Sequence, residues 1–198
     1  MVVFPAFASD FEVFPREGSA YAQLSPLLLS LQKVDFTLRV DDPSMNQGQM
    51  TSDFDESLAR ALGECGAQSF NFQLPESIPQ DFDFAFTYNG AKVAVEIEKA
   101  NREKILRDIL KCHMYLKAGA DFAVVGLPKN YAHKLGVWDL FDFGVERFSE
   151  CATYEFGIPD KLSKILLLGF NQYEATSGRL ITKREREEMR IKASSAVV

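Results

Sequence analysis

The spacing of apolar positions changes along the chain between a helical period and strict alternation. Residues 80–101 read QDFDFAFTYNGAKVAVEIEKAN, with apolar side chains on alternate positions on both sides of Asn89-Gly90. That dipeptide marks a hairpin, because a two-residue turn that matches strand twist needs positive φ at both of its residues. With Asn89 and Gly90 at the tip, Tyr88 faces Ala91. Phe86, Phe84 and Phe82 then stand opposite Val93, Val95 and Ile97 on one apolar face. The other face sets Asp83 against Glu96 and Asp81 against Glu98.

Helical spacing predicts helices over 19–33, 54–64 and 102–117, a short one over 138–143 and a charged one over 182–192. Pro26 fits the first of these only near its start or at a kink. Ser52 or Asp53 is expected to cap the second and Asn101 the third. Alternating or apolar runs predict strands over 34–40, 68–74, 122–127 and 164–170. Residues 1–17 carry short aromatic runs broken by Pro5 and Pro15, an edge strand or an arm. Residues 41–53 read as a loop and 128–162 as irregular, aromatic chain. Helices interleaved with strands, with no repeat and no composition break, predict one α/β domain over 1–198 with a mixed central sheet flanked by helices. Its core is expected over about 50–170, with an N-terminal helix and arm (1–45) and a charged C-terminal extension (171–198).

Composition narrows the class. An apolar fraction of 46% is ordinary for a globular chain, and no apolar run is long enough to cross a membrane. Three scattered cysteines form no disulfide framework, and no basic-then-apolar leader opens the sequence, so a reducing cytoplasm is expected. Two histidines, His113 and His133, are too distant for a zinc motif. The net charge of −6 argues only mildly against nucleic acid, because acids gathered at a metal site count toward it and binding depends on local cationic stripes.

Like charges directly opposite across a ladder are destabilising. The paired acids of the hairpin therefore need a cation, a shared proton or bulk water, and a solvated sheet face is the plain alternative. Hard oxygen donors on a rigid platform suit magnesium, which lowers the pKa of bound water for attack on a phosphodiester. Asp83 and Glu96 are the expected metal ligands. Glu98, two residues on, would orient or deprotonate the water, and Glu56 in the first turn of its helix would add an outer ligand or simply favour the helix dipole. Lys104, Arg107 and Lys111 lie three and four apart and are expected to form an exposed basic stripe.

The order of these features resembles the PD-(D/E)xK nuclease core: a helix with Glu56, a strand with Asp83, a hairpin, a strand with Glu96, and a helix with Arg107-Asp108. The run DFAFTYNGAKVAVEIEKANREKILRDILKCHMYL is similar, more narrowly, to type II restriction endonucleases of the BamHI, BglII and BstYI group. The likeness spans about residues 45–170, through Gln47-Gly48-Gln49, Val93 to Glu96, His113-Met114 and Gly157-Ile158-Pro159. The family at large has lysine where this chain has Glu98, and the BamHI-like branch has Glu or Gln there. Lys99 is one position out of register, and the choice between Asp83 and Asp81 stays open, with register favouring Asp83. The resemblance implies magnesium, double-stranded DNA as substrate and a homodimer acting on a palindrome. It makes Asn101 and Arg102 candidates for base contacts, and Lys104, Arg107 and Lys111 for phosphate or partner contacts. A repair or junction-resolving nuclease and a non-catalytic DNA-binding module on the same fold are the other readings.

Overall fold

The computed structural model describes residues 3–5, 11–31, 37–39, 47–71, 74, 82–98, 101–129, 131–133, 136–153, 159–170 and 188. Asp81, Lys99, Gly157-Ile158 and the expected helix over 182–192, apart from Glu188, lie outside these residues. In chain order the elements are β1 (Val3–Pro5), β2 (Glu12–Phe14), α1 (Gly18–Ser30), β3 (Thr37–Arg39), α2 (Gln47–Glu64), β4 (Gln68–Ser69), β5 (Phe84–Tyr88) and β6 (Ala91–Ile97). A 3-10 turn (Arg102–Lys104) leads into α3 (Ile105–Lys117). Then come β7 (Phe122–Pro128), β8 (Tyr131–His133), β9 (Gly136–Trp138), α4 (Leu140–Thr153), α5 (Pro159–Leu162) and β10 (Ile165–Phe170).

Among the described residues the central sheet has the order β2-β10-β7-β6-β5-β4. Strands β6, β7 and β10 run parallel, while β2, β5 and β4 pair antiparallel. Helices cover both faces, so the expected mixed α/β architecture is the observed one. The parallel strands are apolar on both sides, as strands sandwiched between helices must be. One layer gathers Leu24, Leu27 and Leu28 of α1 and Leu58 and Leu62 of α2 against Val93, Val95 and Leu166. The opposite layer gathers Ile105, Ile109 and Tyr115 of α3 and Phe141 and Phe148 of α4 against Ala94, Val125 and Leu167. No helix among the described residues is long and apolar enough to cross a membrane.

The hairpin has the expected register from Tyr88↔Ala91 through Phe86↔Val93 to Phe84↔Val95. Asn89 (φ 49°) and Gly90 (φ 80°) both take positive φ, as the turn requires. Beyond Phe84 the expectation fails. The Asp83 N–H donates to Val95 O at 3.0 Å, so the strand slips by one residue there. Phe82 is consequently not on the face of Phe84 and Phe86. It packs in the α3 layer, edge-on to Tyr115 with centroids 5.8 Å apart.

Other boundaries also moved. Helix α2 starts at Gln47, so Ser52 and Asp53 lie within it and not at its start. The stretch from Gln47 contains one strong helix breaker, Gly48, and that cost is small against a long packed helix. Pro26 lies well inside α1. Among the described residues of the expected 68–74 strand, Gln68 and Ser69 form β4, and the Phe70 N–H donates to Ala85 O at 3.1 Å. The segment read as irregular holds β8, β9, α5 and the full-length helix α4.

Candidate active site

Side chains alternate across a strand, so Glu96 and Glu98 share the face of Ala94 and meet α3 rather than solvent. They are 6% and 7% exposed, which excludes a solvated sheet face for these two acids. Lys111 and Tyr115 are four apart on α3 and reach the same carboxylate. The Lys111 Nζ lies 2.7 Å from Glu96 Oε2, and the Tyr115 hydroxyl donates to Glu96 Oε1. Burial pushes the Glu96 pKa up, and its hydrogen bonds from Lys111 and Tyr115 work against that rise. Burial and the neighbouring carboxylate push the Tyr115 hydroxyl up in turn, which keeps it a donor.

Glu98 is fixed on two sides. Its N–H donates to Gly126 O at 3.1 Å, carrying the β6–β7 pairing one residue past the ladder. A Cβ at Gly126 would stand 2.5 Å from Ile97 Cδ1, so glycine leaves room for the end of the Ile97 side chain. Glu98 Oε1 accepts the Asn101 N–H at 3.0 Å. Asn101 Oδ1 accepts the Glu103 N–H at 2.9 Å and caps the turn before α3, as expected.

Asp83 is exposed at the mouth of this arrangement. Its Oδ2 accepts the Ile97 N–H at 2.6 Å, and its charge acts on both Glu96 and Tyr115. Asp108 lies one turn before Lys111 and is 3% exposed. Its pKa is pushed up to about 7, by burial first and then by Glu96 and Glu98, against Lys111 and Arg107. The Arg107 guanidinium stands 3.5 Å from it.

The basic stripe is not as expected. Lys104 and Arg107 are exposed, but Lys111 is 8% exposed and turned inward onto Glu96. Its position on α3 matches Asp108 and Tyr115 at spacings of three and four, so it shares their inward ridge. Arg102 lies over two rings, 4.9 Å from Phe143 and 5.4 Å from Trp138, with its side chain about half exposed (47%). Glu56 is exposed on α2, whose buried residues belong to the layer on the other face. It is not gathered with Asp83, Glu96 and Glu98.

Tyr115 was not singled out in the sequence, Asp108 entered only through the resemblance and without a site role, and the inward role of Lys111 was missed. Positions 108, 111 and 115 form a polar ridge beside the apolar stripe of Ile105, Ile109 and Cys112. That spacing is the signal that could have found them. Among the described residues, no three His, Cys, Asp or Glu side chains are gathered as a metal cage. The donor chemistry of Asp83 and Glu96 nevertheless fits magnesium, being two hard carboxylates on adjoining strands. Each oxygen of Glu96 already meets one proton donor, Tyr115 on Oε1 and Lys111 on Oε2, so an ion binding there would share the carboxylate with an ammonium.

Compared with known proteins, the chain matches no family model and no curated sequence. Among solved structures it is similar to free BglII, at 14% identity and a TM-score of 0.40, over 88% of this chain and 82% of that one.

Proposed function

We propose that the chain is a magnesium-dependent endonuclease that hydrolyses phosphodiester bonds in double-stranded DNA, of the type II restriction class, at a palindromic site. The meeting of an exposed aspartate and a buried glutamate at the end of β6, with a second glutamate beside them, carries this assignment. The resemblance of the hairpin and following helix to PD-(D/E)xK nucleases supports it.

Asp83 and Glu96 would hold the magnesium ion, which when bound supplies a water of lowered pKa and a counter-charge for the phosphoryl oxygens. Asp83 comes from the solvent side and defines where the scissile phosphate approaches. Glu98 is held from behind by the Asn101 N–H and by β7, and it orients the attacking water and receives its proton. Asn101 and Arg102 follow directly on this strand, so bases read by them would lie beside the phosphate being cut. Lys104 and Arg107 hold the flanking phosphates. Two copies related by two-fold symmetry would place one such site on each strand of a palindrome.

The test is incubation of the purified protein with unmethylated phage DNA, with and without magnesium, beside Glu96→Ala. Discrete magnesium-dependent bands that the variant loses establish a site-specific nuclease. Cutting confined to branched DNA would instead make it a junction-resolving enzyme. Intact DNA with no metal-induced change in melting temperature would leave only a DNA-binding module.

A further inference from the structure

We infer that Lys111 is an exchangeable cation of this site: its ammonium holds Glu96 while no divalent ion is bound, and ion loading turns it to the phosphate of bound DNA. The inference rests on the function proposed above. Lys111 and Glu96 meet at 2.7 Å with both residues less than a tenth exposed. An ionised carboxylate at that depth without a counter-charge would be strongly destabilising, so keeping Glu96 ionised in the metal-free protein takes a cation. Lys111 provides it from within the chain.

A divalent ion on Glu96 makes that cation redundant. The ion and the ammonium would share one carboxylate and repel one another. Lysine is suited to yield, because its compact charge sits on a flexible four-carbon stem whose Cα stays fixed in α3. Phosphoryl transfer also needs a cation for the charge that develops on phosphorus. Among the described residues of β6 the one lysine is Lys92, and its ammonium lies over the Phe70 ring, 5.6 Å from the centroid. Glu98 occupies the next same-face position after Glu96. Lys92 stands four residues before Glu96 on the strand, so β6 brings no cation to the Glu96 end and the helix does.

Amine labelling read by mass spectrometry tests this on the wild-type protein. Without magnesium, Lys111 should label several-fold more slowly than exposed Lys117 at the end of the same helix. Magnesium should raise labelling of Lys111 and leave that of Lys117 unchanged. Lys111→Met provides the second arm. Measured by calorimetry, its affinity for magnesium should rise by about tenfold or more, the scale on which close charge pairs couple, while single-turnover cleavage falls. Lys117→Gln should alter neither. Opposite signs for affinity and cleavage mark an exchangeable cation; a merely positioning lysine would lower both, and that result overturns the inference. Unchanged labelling of Lys111 on magnesium addition also overturns it, and this readout holds even where Lys111→Met fails to fold. Wild-type protein that binds magnesium but cuts no DNA would sink the proposed nuclease, while labelling and calorimetry would still decide the exchange. Magnesium-dependent cutting without exchange would leave the nuclease and remove only this role of Lys111.

Discussion

Asp83 Oδ2 accepts the Ile97 N–H at 2.6 Å, and so takes the bond that an unbroken ladder would offer to the backbone of residue 82. The one-residue slip at Asp83 and the diversion of Phe82 to the α3 layer belong to the same event. A side chain has replaced a carbonyl as ladder acceptor, and the carboxylate is locked at the strand end beside Glu96. This separates two roles of the same residue. Asp83→Asn keeps an acceptor for Ile97 and loses the charge. It should stay within about 1 kcal/mol of wild-type stability while cleavage falls by about 100-fold or more. Asp83→Ala should lose cleavage equally and also leave the Ile97 N–H without its partner, at about 1–3 kcal/mol. Urea denaturation of the two variants beside single-turnover assays checks both halves.

The Glu96–Lys111 pair predicts strong coupling in stability. Glu96→Gln strands a buried ammonium and Lys111→Met strands a buried carboxylate, each at a cost of about 3–5 kcal/mol. The double variant removes both charges and should be far more stable than the sum of the single losses allows. A double-mutant cycle by chemical denaturation in chelator measures the coupling, and additive losses would rule out a direct pair. Magnesium should restore stability to Lys111→Met and leave Glu96→Gln unchanged.

Asp108 predicts an unusual pH dependence. Its folded pKa, raised to about 7, lies above the ordinary aspartate value of 3.8. Between those values the folded state binds more protons than the unfolded one, so stability falls as pH rises through this window. The favourable contribution is complete below about pH 4 and is lost once the pH passes about 7. Asp108→Asn removes the ionisation. Relative to wild type in chelator, it should be more stable at pH 8 by about 1–2 kcal/mol, or roughly 2–8 °C in Tm, with the advantage vanishing toward pH 4. Glu96 is shifted in the same direction and is coupled to Asp108, so the difference between the two melting curves reports the Asp108 ionisation together with that coupling.

Local chemistry was legible in the sequence where it acted alone. Asn89-Gly90 determines its own turn, and from that turn the register follows as far as Phe84. Asn101 caps its helix with its own side chain, and the apolar runs of β7 and β10 admit little but buried strands. What could not be read depended on tertiary partners. Lys111 looks like one member of a solvated stripe with Lys104 and Arg107 until the buried carboxylate of Glu96 is set against it. The slip at Asp83 hides because period-two alternation continues through Phe82 unbroken, and only the competition between a side-chain and a main-chain acceptor interrupts it. Helix α4 was obscured for a related reason. Its aromatic residues match strand and helix alike, and packing of Phe141 and Phe148 against the sheet decides between the two.

The exposed cations after β6 divide by how they are held, and the division predicts how DNA binding responds. Lys104 and Arg107 are exposed on the outer side of the turn and α3. As phosphate contacts they carry no sequence information, so Lys104→Ala and Arg107→Ala should each weaken binding uniformly across sites and reduce the salt slope by about 1. Arg102 differs because the rings of Phe143 and Trp138 fix its guanidinium from below. A preorganised planar donor is suited to reading a base edge. Arg102→Lys keeps the charge and loses the planar fork, so it should hold the salt slope of the wild type and relax discrimination at one base pair by about 1–3 kcal/mol. Phe143→Leu should loosen the same guanidinium and shift specificity in the same direction. Binding titrations in magnesium-free buffer, against a cognate duplex and single-base variants at several salt concentrations, separate these effects. Equal losses on all duplexes for Arg102→Lys would return Arg102 to the phosphate contacts.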